Sequence, residues 1–269
     1  MKNKICIVLI LGLLSGICGC GAAEIRQDTG AVEQNLLEDD IEVFDKTEEQ
    51  NIAYGEILWD AYYLGKIDGK EFGSPNAEGY HGAYFAIYDV DGDGEEELLL
   101  DWAGSSMATT VEYIWGYNNG TTHVELSEFP LMTYFDCGVI EVGWSHNQGL
   151  AGDFWPYSVY CYDSETDTYR NYGGVDAWDR IVSELNYDDE NFPINIDVDG
   201  DGIVYYILPA NWEGNYDRPV VDGADYEEWR NTYLKDAKEI DITFQNLSEE
   251  NISLLGAPKS DIEFPEPAG

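Results

Sequence analysis

Three aspartates alternate along the run Asp89-Val90-Asp91-Gly92-Asp93-Gly94-Glu95-Glu96-Glu97-Leu98. Calcium is a hard cation that takes six to eight oxygen ligands, and alternating carboxylates on a tight loop supply them. Counting from Asp89, the carboxylates at positions 1, 3 and 5 are Asp89, Asp91 and Asp93. Gly94 permits the sharp turn at position 6, the carbonyl of Glu95 is expected to face the ion at position 7, and Glu97 to complete the shell from position 9, directly or through water. A second copy runs Asp197-Val198-Asp199-Gly200-Asp201-Gly202-Ile203-Val204-Tyr205. Asp197, Asp199 and Asp201 repeat the pattern, but Tyr205 at position 9 brings no carboxylate. This loop is expected to bind more weakly, or to borrow a ligand from Asp188, Asp189 or Glu190. The alternative for both loops is a solvated acidic turn, since Asp and Gly are ordinary turn residues.

The first loop is not a full EF-hand: position 12 is Leu100, and its flanks read as strands. Over Phe85–Leu100 it resembles instead the strand–calcium-loop–strand unit of FG-GAP and VCBS-type repeats in surface proteins. The two loops lie too far apart for the regular blades of a propeller. Phe85-Ala86-Ile87-Tyr88-Asp89 and Glu97-Leu98, with the tyrosine-bearing segment Tyr54–Leu64, also resemble a loose group of Gram-positive bacterial lipoproteins. That resemblance implies no activity.

Elements must hold these loops in place. Ile57, Leu58, Ala61, Tyr62 and Leu64 fall on one face at helical spacing, so a helix is expected from Tyr54, ending at Gly65 or Gly69. Strands are expected at 84–88 and 98–100, around the first loop, and at 139–142. Residues 111–117 and 122–126 flank Asn119-Gly120, a strong hairpin signal. Residues 157–162 and 168–172 flank a second turn. Ala177–Leu185 reads as a helix, Ile203–Leu208 as a strand of the fully buried type, and Tyr226–Leu234 as a helix capped by Asp225. Ser248 opens a short helix ending near Gly256. The expectation is an α+β fold with a hairpin-rich antiparallel centre and helices towards both ends. Residues 51–257 form one domain, and 258–269 a frayed tail.

The N-terminus reads as an address. Lys2 and Lys4 precede an apolar run from Ile5 to Ile17, too short for a bilayer span and suited to a secretory signal. It ends in Ile17-Cys18-Gly19-Cys20-Gly21, which resembles the lipobox of bacterial lipoproteins. The resemblance implies cleavage before Cys20, lipid on its sulfur, and a place on the outer face of the cell membrane. Residues 21–50, with ten acidic and two basic residues, read as a disordered tether. Cys137 and Cys161 are then an even pair in an exported chain. A bridge between them would stabilise by about 3 kcal/mol, and the sequence leaves open whether it forms.

The whole chain carries 54 acidic and 13 basic residues, a formal charge of −41. General nucleic-acid binding is excluded, because neutralising phosphates needs clustered Lys and Arg. At 44% apolar and 14% aromatic, the chain still has ample material for a core. No nucleophile elbow, Walker loop, H-E-x-x-H or Rossmann pattern is present. The aromatic cluster Trp144–Gly149 and Phe154–Tyr157 suits either a core or a glycan-binding surface, with the core favoured. His81, His123 and His146 stand apart in sequence and read as structural. The expected function is a lipid-anchored, calcium-stabilised surface module binding a glycan or protein. The alternatives are a surface glycan hydrolase using a carboxylate pair and an accessory lipoprotein of an export or uptake system.

Overall fold

The computed structural model describes residues 46–73, 82–104, 106–147, 149–210, 212 and 219–259. The signal segment, Cys20, the tether up to residue 45, His81 and the tail from residue 260 lie outside the described residues. Everything described belongs to one unit, Phe44–Gly269.

Helix α1 (Lys46–Leu64) leads to a two-strand ladder, β1 (Lys66–Ile67) and β2 (Lys70–Glu71). Then come β3 (Gly82–Tyr88), β4 (Glu97–Ala103), β5 (Thr110–Asn118), β6 (Thr121–Glu128), β7 (Met132–Phe135) and β8 (Val139–Gly143). They are followed by β9 (Tyr157–Asp163), β10 (Thr168–Asp179), β11 (Ile203–Leu208), α2 (Gly223–Leu234), β12 (Gln245–Asn246) and α3 (Glu249–Ser253). Two five-stranded antiparallel sheets carry the fold. Sheet I has the order β12-β3-β4-β5-β6, and sheet II the order β11-β10-β9-β8-β7.

Successive side chains on a strand point to opposite faces, and here both faces find partners. Leu98, Leu100, Trp102, Tyr113 and Trp115 pack under α1 against Tyr54 and Leu58. Their neighbours Leu99 and Ile114, with Leu126, face sheet II and meet Tyr134, Ile140, Val142 and Tyr169. On its other face, sheet II packs Val139, Val159 and Val175 against Tyr226 and Leu234 of α2. The layers therefore run helix, sheet, sheet, helix. This explains the apolar run Leu98-Leu99-Leu100, in which all three side chains are fully buried.

The hairpin at Asn119-Gly120 forms as expected, with φ of 52° and 80° at its two central residues. So does the hairpin between β9 and β10. Ser248 caps α3, its Oγ accepting the Asn251 amide.

Several expectations need correction. Helix α1 begins at Lys46 and takes its first residues from the expected tether. Glu48 and Glu49 favour the start of a helix. Gln50 is buried and donates to the carbonyl of Glu96 at 2.6 Å, a tertiary contact that composition does not reveal. Ala177–Leu185 is not a helix. Ala177, Trp178 and Asp179 finish β10, paired with Tyr205, Val204 and Ile203 of β11, and long-range pairing overrides the local helical spacing. Strand β11 is an edge strand whose burial alternates, not one buried on both faces. Asp222 precedes α2, and Asp225 lies in its first turn.

Candidate metal centre

The β3–β4 loop is built by its own aspartates. Asp89 Oδ1 accepts the Gly92 amide at 2.8 Å, Asp91 Oδ1 the Asp93 amide at 2.9 Å, and Asp93 Oδ1 the Glu95 amide at 2.7 Å. Glu97, the first residue of β4, reaches back to accept the Val90 amide on Oε2 at 2.8 Å. Helix α1 fixes the far end of the loop, where Gln50 and Tyr54 both donate to the Glu96 carbonyl. One oxygen each from Asp89, Asp91 and Glu97 falls within 4.8 Å of the others. Glu95 lies exposed on the loop.

Burial makes this arrangement costly without a cation. Glu97 is 2% exposed, and desolvation pushes its carboxyl up to about 10. Asp91 rises to about 6, mainly through desolvation. Its Oδ2 is buried without a hydrogen-bond partner, while the nearby Tyr162 hydroxyl commits its one proton to Asp167 Oδ1 at 2.7 Å. Among the described residues, no Lys or Arg forms an ion pair with Asp89, Asp91, Asp93 or Glu97. A buried charge without a partner costs several kcal/mol or stays protonated.

Sequence reasoning missed three residues that the fold brings here. Asp167, from the β9–β10 turn of sheet II, offers an oxygen within 4.8 Å of oxygens from Asp91 and Asp93. Glu125 of β6 feels the charges of Asp91, Asp167 and Asp93, and burial pushes it up to about 9. His123 of β6 places Nε2 3.4 Å from Asp167 Oδ2. Glu125 sits at a β-bulge: Trp115 pairs with Val124 and Ile114 with Leu126, leaving residue 125 unpaired. A charged residue between Val124 and Leu126 was the available signal.

The second loop repeats two of the first loop's three aspartate turns, while Asp197 Oδ1 reaches on to accept the Gly202 amide at 3.4 Å. Asp199 Oδ1 accepts the Asp201 amide and Asp201 Oδ1 the Ile203 amide. In the first loop Glu97 accepts the amide of position 2, Val90; here Asp222 accepts that of Val198 at 2.9 Å. Asp222 therefore takes the place of the missing position 9 carboxylate, and Asp197, Asp199 and Asp222 cluster within 4.8 Å. Asp188, Asp189 and Glu190 do not join this cluster; Asn186 gathers that segment, accepting the Asp188 and Glu190 amides. Burial also raises the Asp201 carboxyl.

Cys137 and Cys161 are free thiols, Cys137 exposed and Cys161 half-buried. Desolvation, with Cys137 adding to it, pushes the Cys161 thiol up to about 11, so it is a poor nucleophile. The aromatic segment divides. Phe154 packs edge-on against Tyr226 in the core, whereas Trp155 is 46% exposed. Trp144 stacks on Trp212, centroids 5.5 Å apart, in the wall of a cleft of about 420 Å³. Ser145, Tyr160, Asn171 and Glu128 also line it. Comparison with family models, with curated proteins and with solved structures returned no match.

Proposed function

We propose that the chain is a calcium-stabilised binding module of the bacterial surface, held to the membrane by lipid on Cys20, with helices flanking its β-sheets. The observation that carries the reading is the carboxylate cluster of Asp89, Asp91 and Glu97, in which Asp91 and Glu97 are buried and with which no Lys or Arg among the described residues pairs. Calcium at Asp89, Asp91, Asp93, the Glu95 carbonyl and Glu97 would remove the penalty and stiffen the end of sheet I. A second ion at Asp197, Asp199 and Asp222, with Asp201 holding the loop, would act likewise at the start of β11. Extracellular calcium is abundant enough to fill even weak sites. The loop's likeness to FG-GAP and VCBS-type units supports the same ion.

The ligand face is the Trp144–Trp212 cleft, where indole rings lie beside amide, hydroxyl and carboxylate groups. That mixture suits a sugar ring, which stacks on aromatics and hydrogen-bonds at its edge. Hydrolysis of a glycosidic bond needs two carboxylates flanking the bond. Glu128 is the one carboxylate among the described residues lining the cleft, and it accepts the Tyr160 hydroxyl at 2.6 Å. This favours binding over catalysis.

Thermal unfolding of the full chain tests the reading. Millimolar calcium should raise the midpoint by several degrees over chelator. An unchanged midpoint, with no calcium retained after purification, would overturn it.

A further inference from the structure

Beside the calcium loop lies a donor set of different chemistry. His123 Nε2 is 3.0 Å from the Asp167 carbonyl oxygen, 3.4 Å from Asp167 Oδ2 and 4.0 Å from Glu125 Oε1. One ligand atom each from His123, Glu125 and Asp167 lies within 4.8 Å of the others. Donors bound at about 2.0–2.2 Å around one small ion sit roughly 3.0–3.5 Å apart, so a slight contraction would close this set on a metal.

Two further observations point to a ligand here. The Glu125 side chain is 1% exposed, and its Oε2 is buried with no hydrogen-bond partner. The fold also makes room for it. A Cβ on Gly116, paired with His123 across the ladder, would fall 2.1 Å from Glu125 Oε1 and 2.8 Å from His123 Cε1. A bulge that turns a glutamate inward, opposite a glycine that leaves it space, is a built feature.

We propose that His123, Glu125 and Asp167 bind a first-row divalent transition ion of the zinc class, distinct from the calcium of the neighbouring loop. An imidazole nitrogen among the donors favours such ions over calcium, which prefers oxygen alone. On binding, Nε2 coordinates the ion and releases any proton it carries, and the two carboxylates balance the two positive charges. Asp167 lies in the β9–β10 turn at the end of sheet II and the other two residues in β6 of sheet I, so the ion would tie that turn to sheet I. The site needs only these three side chains and does not depend on calcium in the loop.

The test uses the full chain, stripped of metal and returned to millimolar calcium. Titration with zinc, followed by calorimetry and by metal content after dialysis, should show one zinc bound beyond calcium. Cobalt in its place should give visible absorption from a nitrogen- and oxygen-bound ion. His123→Gln should weaken zinc at least about tenfold and abolish the cobalt bands, while the calcium-induced thermal shift persists. Asp167→Asn, on the turn, provides a second variant with the same expected loss. Asp89→Asn should weaken calcium and leave zinc in place. Absence of zinc uptake would overturn the proposal. Uptake that both the His123 and the Asp167 variants retain would overturn it as well.

Discussion

The carbonyl oxygen of Asp91 lies 2.9 Å from where a Cβ on Gly138 would stand. The loop of sheet I thus rests on the β7–β8 turn of sheet II with no space for a side chain. Gly138 also has φ of 71°, a region that L residues enter at a cost of about 1–2 kcal/mol. Gly138→Ala should lower stability by about 2–3 kcal/mol, more than strain alone, because the neighbour is backbone. Chemical denaturation measures it. A loss below about 1 kcal/mol would mean that the loop moves away freely.

Asp101 and Glu112 oppose each other across the β4–β5 ladder, facing the seam between the sheets. Burial pushes Asp101 up to about 6 and Glu112 to about 8, with Asp101 adding its charge to the latter. Both values exceed the ordinary 3.8 and 4.5, so over the intervening pH range the folded chain holds protons that the unfolded chain releases. Their stabilisation is fully present below the unfolded values and is lost as pH rises through about 6 and then about 8. Stability should therefore fall from about pH 4 to about pH 9. Glu112→Gln should flatten that slope while keeping a partner for the Tyr134 hydroxyl. Equal slopes in both proteins would refute this assignment.

Arg230 of α2 grips Glu141 of β8 through two bonds, Nε to Oε1 at 2.6 Å and Nη2 to Oε2 at 2.9 Å. Glu141 is nearly buried and Arg230 about one-third exposed. Arg230→Met keeps the stem but strands the carboxylate, and should cost about 2–3 kcal/mol, somewhat below a fully buried pair. The double variant Arg230→Met with Glu141→Gln should recover part of that loss. Denaturant titrations of the four proteins complete the cycle.

Asp222 predicts ion stoichiometry. The full chain should take up two calcium ions, and Asp222→Asn should lose the one at Asp197 and Asp199 while retaining the other. Calorimetric titration distinguishes the two. Unchanged stoichiometry and affinity would separate Asp222 from the loop whose Val198 amide it accepts.

Much of this was legible in the chain because it is local. Alternating aspartates with Gly92 and Gly94 define the loop, Asn119-Gly120 defines a hairpin, and Ser248 defines a helix start. What was hidden depends on distant partners. Asp222 enters its loop from beyond β11, and nothing in its immediate neighbours marks it as the counterpart of Glu97. Trp178 sits in a segment with helical spacing, yet its ladder partner Val204 decides its conformation. Gln50 looks like tether until Glu96 is placed beside it. Glu125 carried no signal beyond its charge because burial between two sheets is a tertiary fact, and the same burial raises the carboxyls of Glu97 and Glu125 alike.

Residue 125 is a supernumerary position in its strand. With it removed, Val124 would still oppose Trp115, and Leu126 would fall opposite Ile114 in an unbroken ladder. A one-residue deletion would thus regularise sheet I while erasing an inward carboxylate. The ladder and the His123–Glu125–Asp167 cluster are therefore separable at a single codon, and a form of the same scaffold without that cluster lies one deletion away.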